Sequence, residues 1–346
     1  MFLLLVFRKE IIMEKFRYVN GYKSTLNYLE NEIAIKELRR FFEDSLSNTL
    51  HLTRVTAPLF VLSKTGINDD LNGEEIPVKF NAKGIDKEIE IVHSLAKWKR
   101  LNISKYGFKL HEGLYTNMNA IRKDELRDNY HSIYVDQRDY EFIISKEDRT
   151  LKFLKETVEK IYKVILDTRD FISKKFKISA NLPENITFLT SEELLRMYPD
   201  MSPAERVNEA ARRYRALFVA QIGYKLSDGE AQDLRAPDYD DWTLNGDIFV
   251  YNELLDDALE LSSMGIRVDK EALIKQSKIA KKEENLNLYF QKLILDDKLP
   301  YTLGGGIGQS RICMFLLKKL HIGEVQSSVW EKETYEFFTS RGVNIL

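Results

Sequence analysis

The sequence reads TLGGGIGQSRICMFLL from Thr302 to Leu317, with three consecutive glycines, a fourth glycine two positions on, and an arginine that enters an apolar helical run. Glycine lets the backbone approach a ligand closely, and a helix start offers free N–H groups and a positive dipole end. Arg311 falls in that first turn, and its planar, permanently charged guanidinium suits phosphate or a purine face. The stretch therefore predicts an anion-binding loop followed by a helix. It lacks the lysine and Ser/Thr of a Walker-type loop and the context of a dinucleotide fingerprint.

The composition limits the class of protein. The 346 residues are 44% hydrophobic, which is enough for a large core. The formal net charge of −2 argues against a protein that coats nucleic acid. The single cysteine, Cys313, excludes a disulfide framework, and the apolar run Phe2–Phe7 is too short to span a membrane. We therefore expect a cytoplasmic protein without a nucleic-acid or membrane partner.

Helix and strand patterns follow one another without a linker, repeat or low-complexity tract. We expect a short N-terminal extension over residues 1–13, with Met13 as an alternative start, and a single domain over residues 14–346. The stretch LHLTRVTAPLF predicts one strand, and Ser145 with Asp148 as its reciprocal cap predicts a helix start. The expected fold class is α+β, with a mainly antiparallel sheet flanked by helices.

Three predicted strands carry acidic residues, at Asp139, Asp247 and Glu260. Side chains alternate along a strand, so Glu260 and Ser262 are expected on the same face. A carboxylate among apolar neighbours costs several kcal/mol unless a cation or hydrogen-bond donors meet it. Carboxylates that gather over a sheet commonly bind Mg²⁺ or meet an amine. Arg122 follows another predicted strand, so the pattern predicts a shared polar cavity that holds a phosphate compound.

In their order along the chain, these pieces resemble the three signature motifs of class II aminoacyl-tRNA synthetases. More narrowly, eight segments resemble those of the aspartate–ammonia ligase family of the asparagine synthetase A type. They are VHSLAKWKR, EGLYT, YVDQRDYE, KLSDG, RAPDYDDW, LNGDI, ELSSMGIRV and GGGIGQSR. The resemblance extends from about Asp69 to the C-terminus. It implies a class II synthetase-like catalytic core, a homodimer, and a reaction in which ATP, Mg²⁺, L-aspartate and ammonia give L-asparagine, AMP and pyrophosphate through β-aspartyl-AMP.

The resemblance also implies an ATP site. Arg122 would hold the α-phosphate, and Arg311 would hold the other phosphates or the adenine face. Asp247 and Glu260 would bind Mg²⁺ or position ATP. The other residues implied to contact the nucleotide are Glu125, Ser132, Arg235, Asp240, Ser262, Gly305 and Gly306.

For aspartate, the resemblance implies that Asp139 accepts the α-ammonium group and that Arg267 grips the α-carboxylate. Lys99 and Gln137 would face the reacting side chain. Either Asp69 or Asp70 would be a further site carboxylate, which could hold or deprotonate ammonium. Arg235 and Asp240 would close the site, and the implied catalytic residues are Asp69, Lys99, Arg122, Gln137 and Arg311.

The sequence itself favours free ammonia over glutamine as the nitrogen donor. Glutamine-dependent synthetases commonly use an N-terminal cysteine, whereas the one cysteine here follows the glycine-rich stretch. The five histidines show no metal-binding spacing, and each is expected to be structural. The alternative left open is a class II synthetase-like paralogue that binds an amino acid and AMP.

Overall fold

The computed structural model describes residues 16–69, 71 and 75–346, so the extension over residues 1–13 and the candidate Asp70 lie outside the described residues. The strands are β1 (Leu52–Arg54), β2 (Phe60–Leu62), β3 (Lys79–Phe80), β4 (Ile89–Ile91), β5 (Gly113–Ile121), β6 (Tyr134–Ile143), β7 (Thr187–Thr190), β8 (Ala216–Ala220), β9 (Asp240–Asn252), β10 (Asp257–Arg267) and β11 (Thr302–Gly308). The helices are α1 (Tyr28–Leu50), α2 (Ala96–Ile103), α3 (Leu151–Phe176), α4 (Ser191–Met197), α5 (Pro203–Tyr214), α6 (Lys270–Ile279), α7 (Tyr289–Leu295), α8 (Gln309–Leu316) and α9 (Lys332–Thr339).

The strands form one large sheet and one small sheet. The large sheet has eight strands in the order β1-β5-β6-β11-β10-β9-β8-β7, and the small sheet has the order β2-β4-β3. Only the outermost pairs of the large sheet, β1 with β5 and β7 with β8, are parallel. The predicted α+β architecture with a mainly antiparallel sheet is therefore confirmed.

Two long helices cover one face of the large sheet. Helices α1 and α3 bury Leu38, Phe42, Leu154 and Ile161 in the core that this face of the sheet also lines. The rings of Phe41 and Phe171 stack with their centroids 4.4 Å apart and join the two helices. Full burial of a leucine, isoleucine or phenylalanine side chain in this core contributes about 1.5–3 kcal/mol to folding.

The opposite face is covered at its two ends and polar in its middle. Val207 and Ala211 of α5 pack on Leu217 and Val219 of β8 at one end. At the other end, the segment leading into α2 packs on β5, in a cluster that includes Met118. The central strands β6, β11 and β10 are left to carry the candidate site. Among the described residues, no helix has the length and apolar character needed to cross a bilayer.

Two local predictions were wrong. The stretch predicted as one strand, LHLTRVTAPLF, forms β1 and β2, which belong to different sheets and are separated by a segment that contains Pro58. Ser145 and Asp148 do exchange the predicted hydrogen bonds, but they close a turn. Helix α3 begins later, where the side chain of Thr150 accepts the N–H of Phe153.

His321 lies fully buried in an aromatic cluster near the C-terminus. Its ring centroid lies 4.5 Å from that of Phe338 and 4.6 Å from that of Trp330. The ring nitrogen Nδ1 accepts the N–H of Gly323 at 3.0 Å, so the proton of the neutral ring is on Nε2. Burial lowers the pKa of His321 to about 3.

This shift predicts a loss of stability in acid. Because an ordinary histidine pKa is about 6.5, the unfolded chain takes up a proton first as the pH falls, and the contribution of His321 is lost progressively below that value. Between pH 6 and pH 5, the free energy of unfolding should fall about 1 kcal/mol more for the wild type than for His321→Asn. Urea titrations at the two pH values measure the difference. The matched control is His51→Asn, which removes an exposed histidine, and equal pH dependence in all three proteins would contradict the prediction.

Candidate active site

The glycine-rich stretch is a strand rather than the predicted loop. Residues Thr302–Gly308 form β11, which pairs with β6 on one side and with β10 on the other. Helix α8 begins directly after it at Gln309, and Gly308 is its N-cap residue. The glycines therefore occupy the centre of the large sheet.

Strand register places the key side chains in one row. Asp247 of β9 is paired with Ser263 of β10, Ser263 with Gly306 of β11, and Gly306 with Asp139 of β6. All four residues lie on the face opposite α1 and α3. Residues far apart in sequence thus meet across four adjacent strands.

Two of the glycines make room for side chains from the neighbouring strands. A Cβ atom at Gly304 would overlap the carboxylate of Glu141 and lie 2.5 Å from Nη2 of Arg267. A Cβ atom at Gly306 would overlap Gln137 and lie 2.9 Å from Oδ1 of Asp139. The polar side chains therefore lie across β11, where any other residue would exclude them.

Gly305 faces the other side of the sheet. A Cβ atom there would lie 2.7 Å from the side chains of Met264 and Tyr140, which belong to the core under α1 and α3. Its carbonyl oxygen accepts a hydrogen bond from Nζ of Lys99 at 2.8 Å. The inference that Gly305 contacts the nucleotide is therefore corrected, because alternation turns it away from the cavity and it supports Lys99 instead.

A buried charge cluster lies across β11. Arg267 donates from Nη2 to Glu141 at 2.7 Å and from Nη1 to Asp240. Burial alone would raise the pKa of Glu141, but Arg267 outweighs it and this pKa is lowered. Burial raises the pKa of Asp240, although Arg267 opposes the shift. The cluster thus brings together two predicted site residues from different strands, Arg267 and Asp240, with Glu141, which was not among the predicted site residues.

Lys99 and Asp139 complete this cluster. Nζ of Lys99 lies 2.9 Å from Oδ2 of Asp139, and both side chains are almost completely buried. Burial lowers the pKa of Lys99, and Asp139 and Glu141 oppose this shift. Oδ1 of Asp139 is buried and finds no hydrogen-bond partner within the described part of the chain. A buried acceptor without a donor is costly, so this oxygen is suited to receive one from a ligand.

A cavity of about 330 Å³ opens beside the cluster, within the size range of small-molecule sites. Part of its wall is apolar and aromatic, with Val135, Leu261 and Tyr239 among the lining residues. The predicted site residues that line it are Arg122, Glu125, Ser132, Gln137, Arg235, Glu260, Gly306 and Arg311. The cavity thus gathers most of the residues predicted for a nucleotide.

Four of the charged residues form linked pairs at the cavity. Arg235 donates to Asp247, and Arg311 lies 3.5 Å from Glu260. Burial raises the pKa of Asp247 to about 7, with Arg235 opposing the shift and the charge of Glu260 adding to it. Asp247 itself lines a neighbouring cavity of about 470 Å³ that also reaches Glu260 and Arg311.

A β-bulge in β10 changes which serine faces the cavity. Glu260 is paired with Phe249 and Ser262 with Ile248, so β10 contains one extra residue between these pairs. After the bulge the faces exchange, and Ser263 lines the cavity together with Glu260. Ser262 is 1% exposed, and its hydroxyl has no partner among the described residues. The expectation that Ser262 faces the nucleotide was therefore wrong.

His131 was expected to be structural, yet it lines the cavity. Its Nε2 lies 2.8 Å from Nη2 of Arg311, and its Nδ1 lies 2.8 Å from Oδ1 of Asp128. Because a guanidinium only donates, Nε2 must accept, and Nδ1 must carry the ring proton and donate a hydrogen bond to Asp128. The signal available in the sequence was the position of His131 next to the candidate Ser132 at the start of β6.

Asp69 lies at the edge of the same site. Its Oδ1 accepts the N–H of Leu71 at 2.9 Å, and its Oδ2 accepts the hydroxyl of Ser94 at 3.0 Å. Leu71, whose N–H Asp69 accepts, lines the cavity together with Tyr239. Burial raises the pKa of Tyr239, and the charges of Asp69 and Asp240 add to the shift. Asp69 thus stands next to the charge cluster rather than within it.

One of the N–H groups that the predicted anion-binding helix start would offer already has a partner. The N–H of Ser310, in the first turn of α8, is taken by Oδ1 of Asp136 at 3.1 Å. A carboxylate from β6 therefore caps the helix, since the N-cap glycine has no side chain to do so. Arg311, in the same first turn, lines the cavity with its side chain.

The fold defines the class of protein. The structure is similar to that of the asparaginyl-tRNA synthetase from Pyrococcus horikoshii complexed with asparaginyl-adenylate, with a TM-score of 0.62 and 15% sequence identity over 86% of this chain and 68% of that chain. The fold is accordingly that of the class II aminoacyl-tRNA synthetase-like catalytic core.

Sequence comparison then gives the family. The family model described as aspartate-ammonia ligase matches residues 29–342. The aspartate–ammonia ligase of Clostridium perfringens (strain SM101 / Type A) is 56% identical over 336 residues, which cover 96% of this chain and 100% of that protein. The corresponding protein of Fusobacterium nucleatum subsp. nucleatum is 53% identical over 327 residues, or 94% of this chain and 100% of that protein. The chain belongs to the aspartate–ammonia ligase family.

The space that Gly304 leaves free predicts a large effect of a single methyl group. In Gly304→Ala the methyl would displace the buried pair of Glu141 and Arg267, so the free energy of unfolding should fall by about 2 kcal/mol or more. The matched control is Gly308→Ala, whose methyl would meet the flexible side chain of Arg311 at 3.2 Å. Urea unfolding measures both variants, and equal stabilities would refute the role given to Gly304.

Proposed function

We propose that the chain makes L-asparagine from L-aspartate, ammonia and ATP, and releases AMP and pyrophosphate. An oxygen of the aspartate β-carboxylate attacks the α-phosphorus, and the bond from that phosphorus to the pyrophosphate oxygen breaks. The nitrogen of ammonia then attacks the acyl carbon of β-aspartyl-AMP, AMP leaves, and the nitrogen gives up its surplus proton. Family membership supports this activity.

One observation carries the assignment of the aspartate site. Oδ1 of Asp139 is a buried acceptor without a donor, in a cluster whose other members are already paired. The α-ammonium group of aspartate would supply that donor and add a positive charge. It would lie beside Gly306, which lines both the cluster and the cavity.

Arg267 retains hydrogen-bonding capacity for the α-carboxylate. A guanidinium has five N–H donors, and Arg267 uses its Nε and one N–H on each terminal nitrogen for Glu141 and Asp240. The second N–H of each terminal nitrogen can bind a carboxylate. Lys99, which donates to the carbonyl of Gly305, and Gln137, which lies against Gly306, are then proposed to face the reacting side chain.

The arginines are proposed to hold ATP. Nε of Arg122 is buried and has no hydrogen-bond partner within the described ranges, so it is available to the α-phosphate. Arg311 extends from helix α8, whereas Arg122 follows strand β5. The guanidinium of Arg311 is oriented by His131 and Glu260. Such fixed positive groups stabilise the charge that develops as the α-phosphorus is attacked. Glu125, Ser132 and Ser263 complete this proposed wall.

The cavity wall also supports a requirement for Mg²⁺. Its three arginines, Arg122, Arg235 and Arg311, face the four carboxylates of Glu75, Glu125, Asp233 and Glu260, and a fifth carboxylate, that of Asp136, is paired with Arg39 outside the wall. A wall with this excess of negative charge would repel a triphosphate, and a divalent cation supplies the missing positive charge.

Asp247 and Glu260 fit the role of Mg²⁺ ligands. Oδ1 of Asp247 is buried and without a partner among the described residues, and both carboxylates line the same neighbouring cavity. The described chain has no group of three or more histidine, cysteine, aspartate or glutamate side chains arranged for a metal ion. Water and phosphate oxygens would complete the coordination, as is usual for Mg²⁺ at nucleotide sites.

Free ammonia is the proposed nitrogen donor. The one cysteine of the sequence, Cys313, is fully buried in the core, and burial raises the pKa of its thiol. A thiol in that position cannot attack glutamine. Asp69, near Tyr239 and Asp240, is proposed to hold or deprotonate ammonium, and an Asp69→Asn variant with full ammonia-dependent turnover would rule out that role.

The test of the function is a product assay. Purified protein with ATP, Mg²⁺, L-aspartate and ammonium should give equal amounts of AMP, pyrophosphate and asparagine, and replacing ammonium by glutamine should abolish turnover. Inorganic phosphate in place of pyrophosphate would contradict adenylate chemistry. Binding of AMP and an amino acid without asparagine would favour the synthetase-like paralogue instead.

The unpartnered oxygen of Asp139 predicts a selective loss of aspartate binding. Asp139→Asn should raise the KM for aspartate about 100-fold, because a charge-assisted hydrogen bond to the ammonium is lost, and change the KM for ATP by less than about threefold. The control Asp241→Asn breaks a 2.9 Å pair with Arg149 outside the cavity and should leave both KM values unchanged. Equal increases of both values in Asp139→Asn would count against this role.

A homodimer is the proposed assembly. Helix α1 exposes three large apolar side chains, Tyr28, Leu29 and Ile33, and the last two are 71% and 45% exposed. Light scattering at micromolar concentration should give about twice the chain mass of 40.5 kDa, and Leu29→Glu should lower it. A wild-type mass of one chain would refute the proposal.

A further inference from the structure

A buried hydrogen-bonded group joins helix α1 to the first turn of α8. It consists of Arg39, Asp136, Ser310 and Gln326, and is called the Asp136 group below. Oδ2 of Asp136 accepts Nη2 of Arg39 at 2.8 Å, and Oδ1 accepts Nε2 of Gln326 at 3.1 Å in addition to the N–H of Ser310. Nη2 of Arg39 and Nε2 of Gln326 also lie 3.1 Å from the hydroxyl of Ser310.

Asp136 fixes the start of α8. The first N–H groups of a helix have no partner inside the helix, and the N-cap here is Gly308, which makes no side-chain cap. Asp136 supplies the missing acceptor from another strand, and its charge also interacts favourably with the helix dipole. Because Arg311 follows Ser310 directly, the position of this first turn sets where the Arg311 guanidinium lies.

Arg39 supplies the charge that lets Asp136 remain there. The side chain of Asp136 is 4% exposed and borders the cavity, whereas that of Arg39 is 31% exposed on the other side of the group. A buried carboxylate without a cation is strongly unfavourable. In the absence of Arg39, the cavity wall would present an uncompensated negative charge next to the proposed phosphate site.

We propose that Arg39 is a positioning residue for ATP: through Asp136 it holds the first turn of α8, and it neutralises a carboxylate that would otherwise repel the phosphates. This inference rests on the proposed function, since it takes Arg311 and the adjoining cavity to bind ATP. Arg39 itself does not line the cavity, so it acts through Asp136 and Ser310.

The test measures ATP binding and steady-state kinetics in four variants. Arg39→Gln should weaken ATP binding by calorimetry and raise the KM for ATP about tenfold or more, while the KM for aspartate stays within about twofold. Arg39→Lys, which keeps the charge, should recover most of the affinity. The control is Arg40→Ala, which removes a neighbouring arginine of α1 whose side chain is 66% exposed, and it should behave as the wild type.

A double variant separates charge from packing. In Arg39→Gln with Asp136→Asn, the amide oxygen can still accept the N–H of Ser310, but no uncompensated charge remains. ATP affinity should return to within about threefold of the wild type. No recovery would refute neutralisation as the mechanism.

Other outcomes would overturn the inference. If Arg39→Gln binds ATP as tightly as the wild type, Arg39 does not position the nucleotide site. If ATP and aspartate affinities fall together, or the mass in solution changes with them, Arg39 has a general structural role. A wild-type protein that binds ATP but makes no asparagine would count against the proposed function and leave the Arg39 comparison intact.

Discussion

The candidate site depends on the absence of side chains in the middle of a sheet. Strand β11 lies between β6 and β10, and ordinary residues at Gly304 and Gly306 would fill the space where Glu141, Arg267 and Asp139 lie. Glycine normally weakens a strand, because it loses more entropy on folding and packs nothing. Here the neighbouring side chains fill the space with an ion-pair network. The sheet thus gives up local packing and gains a preorganised polar surface.

The same network explains how charges remain buried without opening the fold. Burial acts against every ionised group in it, yet each cation has acidic partners at hydrogen-bonding distance, as Arg267 has in Glu141. Such clusters contribute little net stability, because desolvation offsets the attraction between the charges. Their value is orientation: dipoles and charges that are already fixed need not reorganise when a substrate arrives. The oxygen of Asp139 that lacks a donor then marks where the network is incomplete.

The sequence predicted the chemistry of the site better than its geometry. Acidic residues on strands and arginines after them indicated one polar cavity, and Arg122, Glu260 and Arg311 do line the same one. The glycine stretch was misread as a loop because glycine favours turns in isolation, whereas here the neighbouring strands decide the conformation. Ser262 was expected on the same face as Glu260 because alternation was extended through a bulge that the residue types do not indicate. Asp136 and His131 act through contacts between distant segments, which spacing along the chain does not reveal.

The carboxylate of Asp136 at the start of α8 affects which groups would hold a phosphate. A free helix N-terminus could have taken an anion by itself, but Asp136 already occupies the N–H of Ser310 and brings a negative charge. This negative charge disfavours an anion at the helix start, so the proposed phosphate contacts come from side chains. Guanidinium groups can make such contacts, because they keep their charge when buried and offer several donors in one plane. This accounts for a cavity wall in which three arginines stand beside a larger number of carboxylates, since part of that acidity serves to build the wall itself.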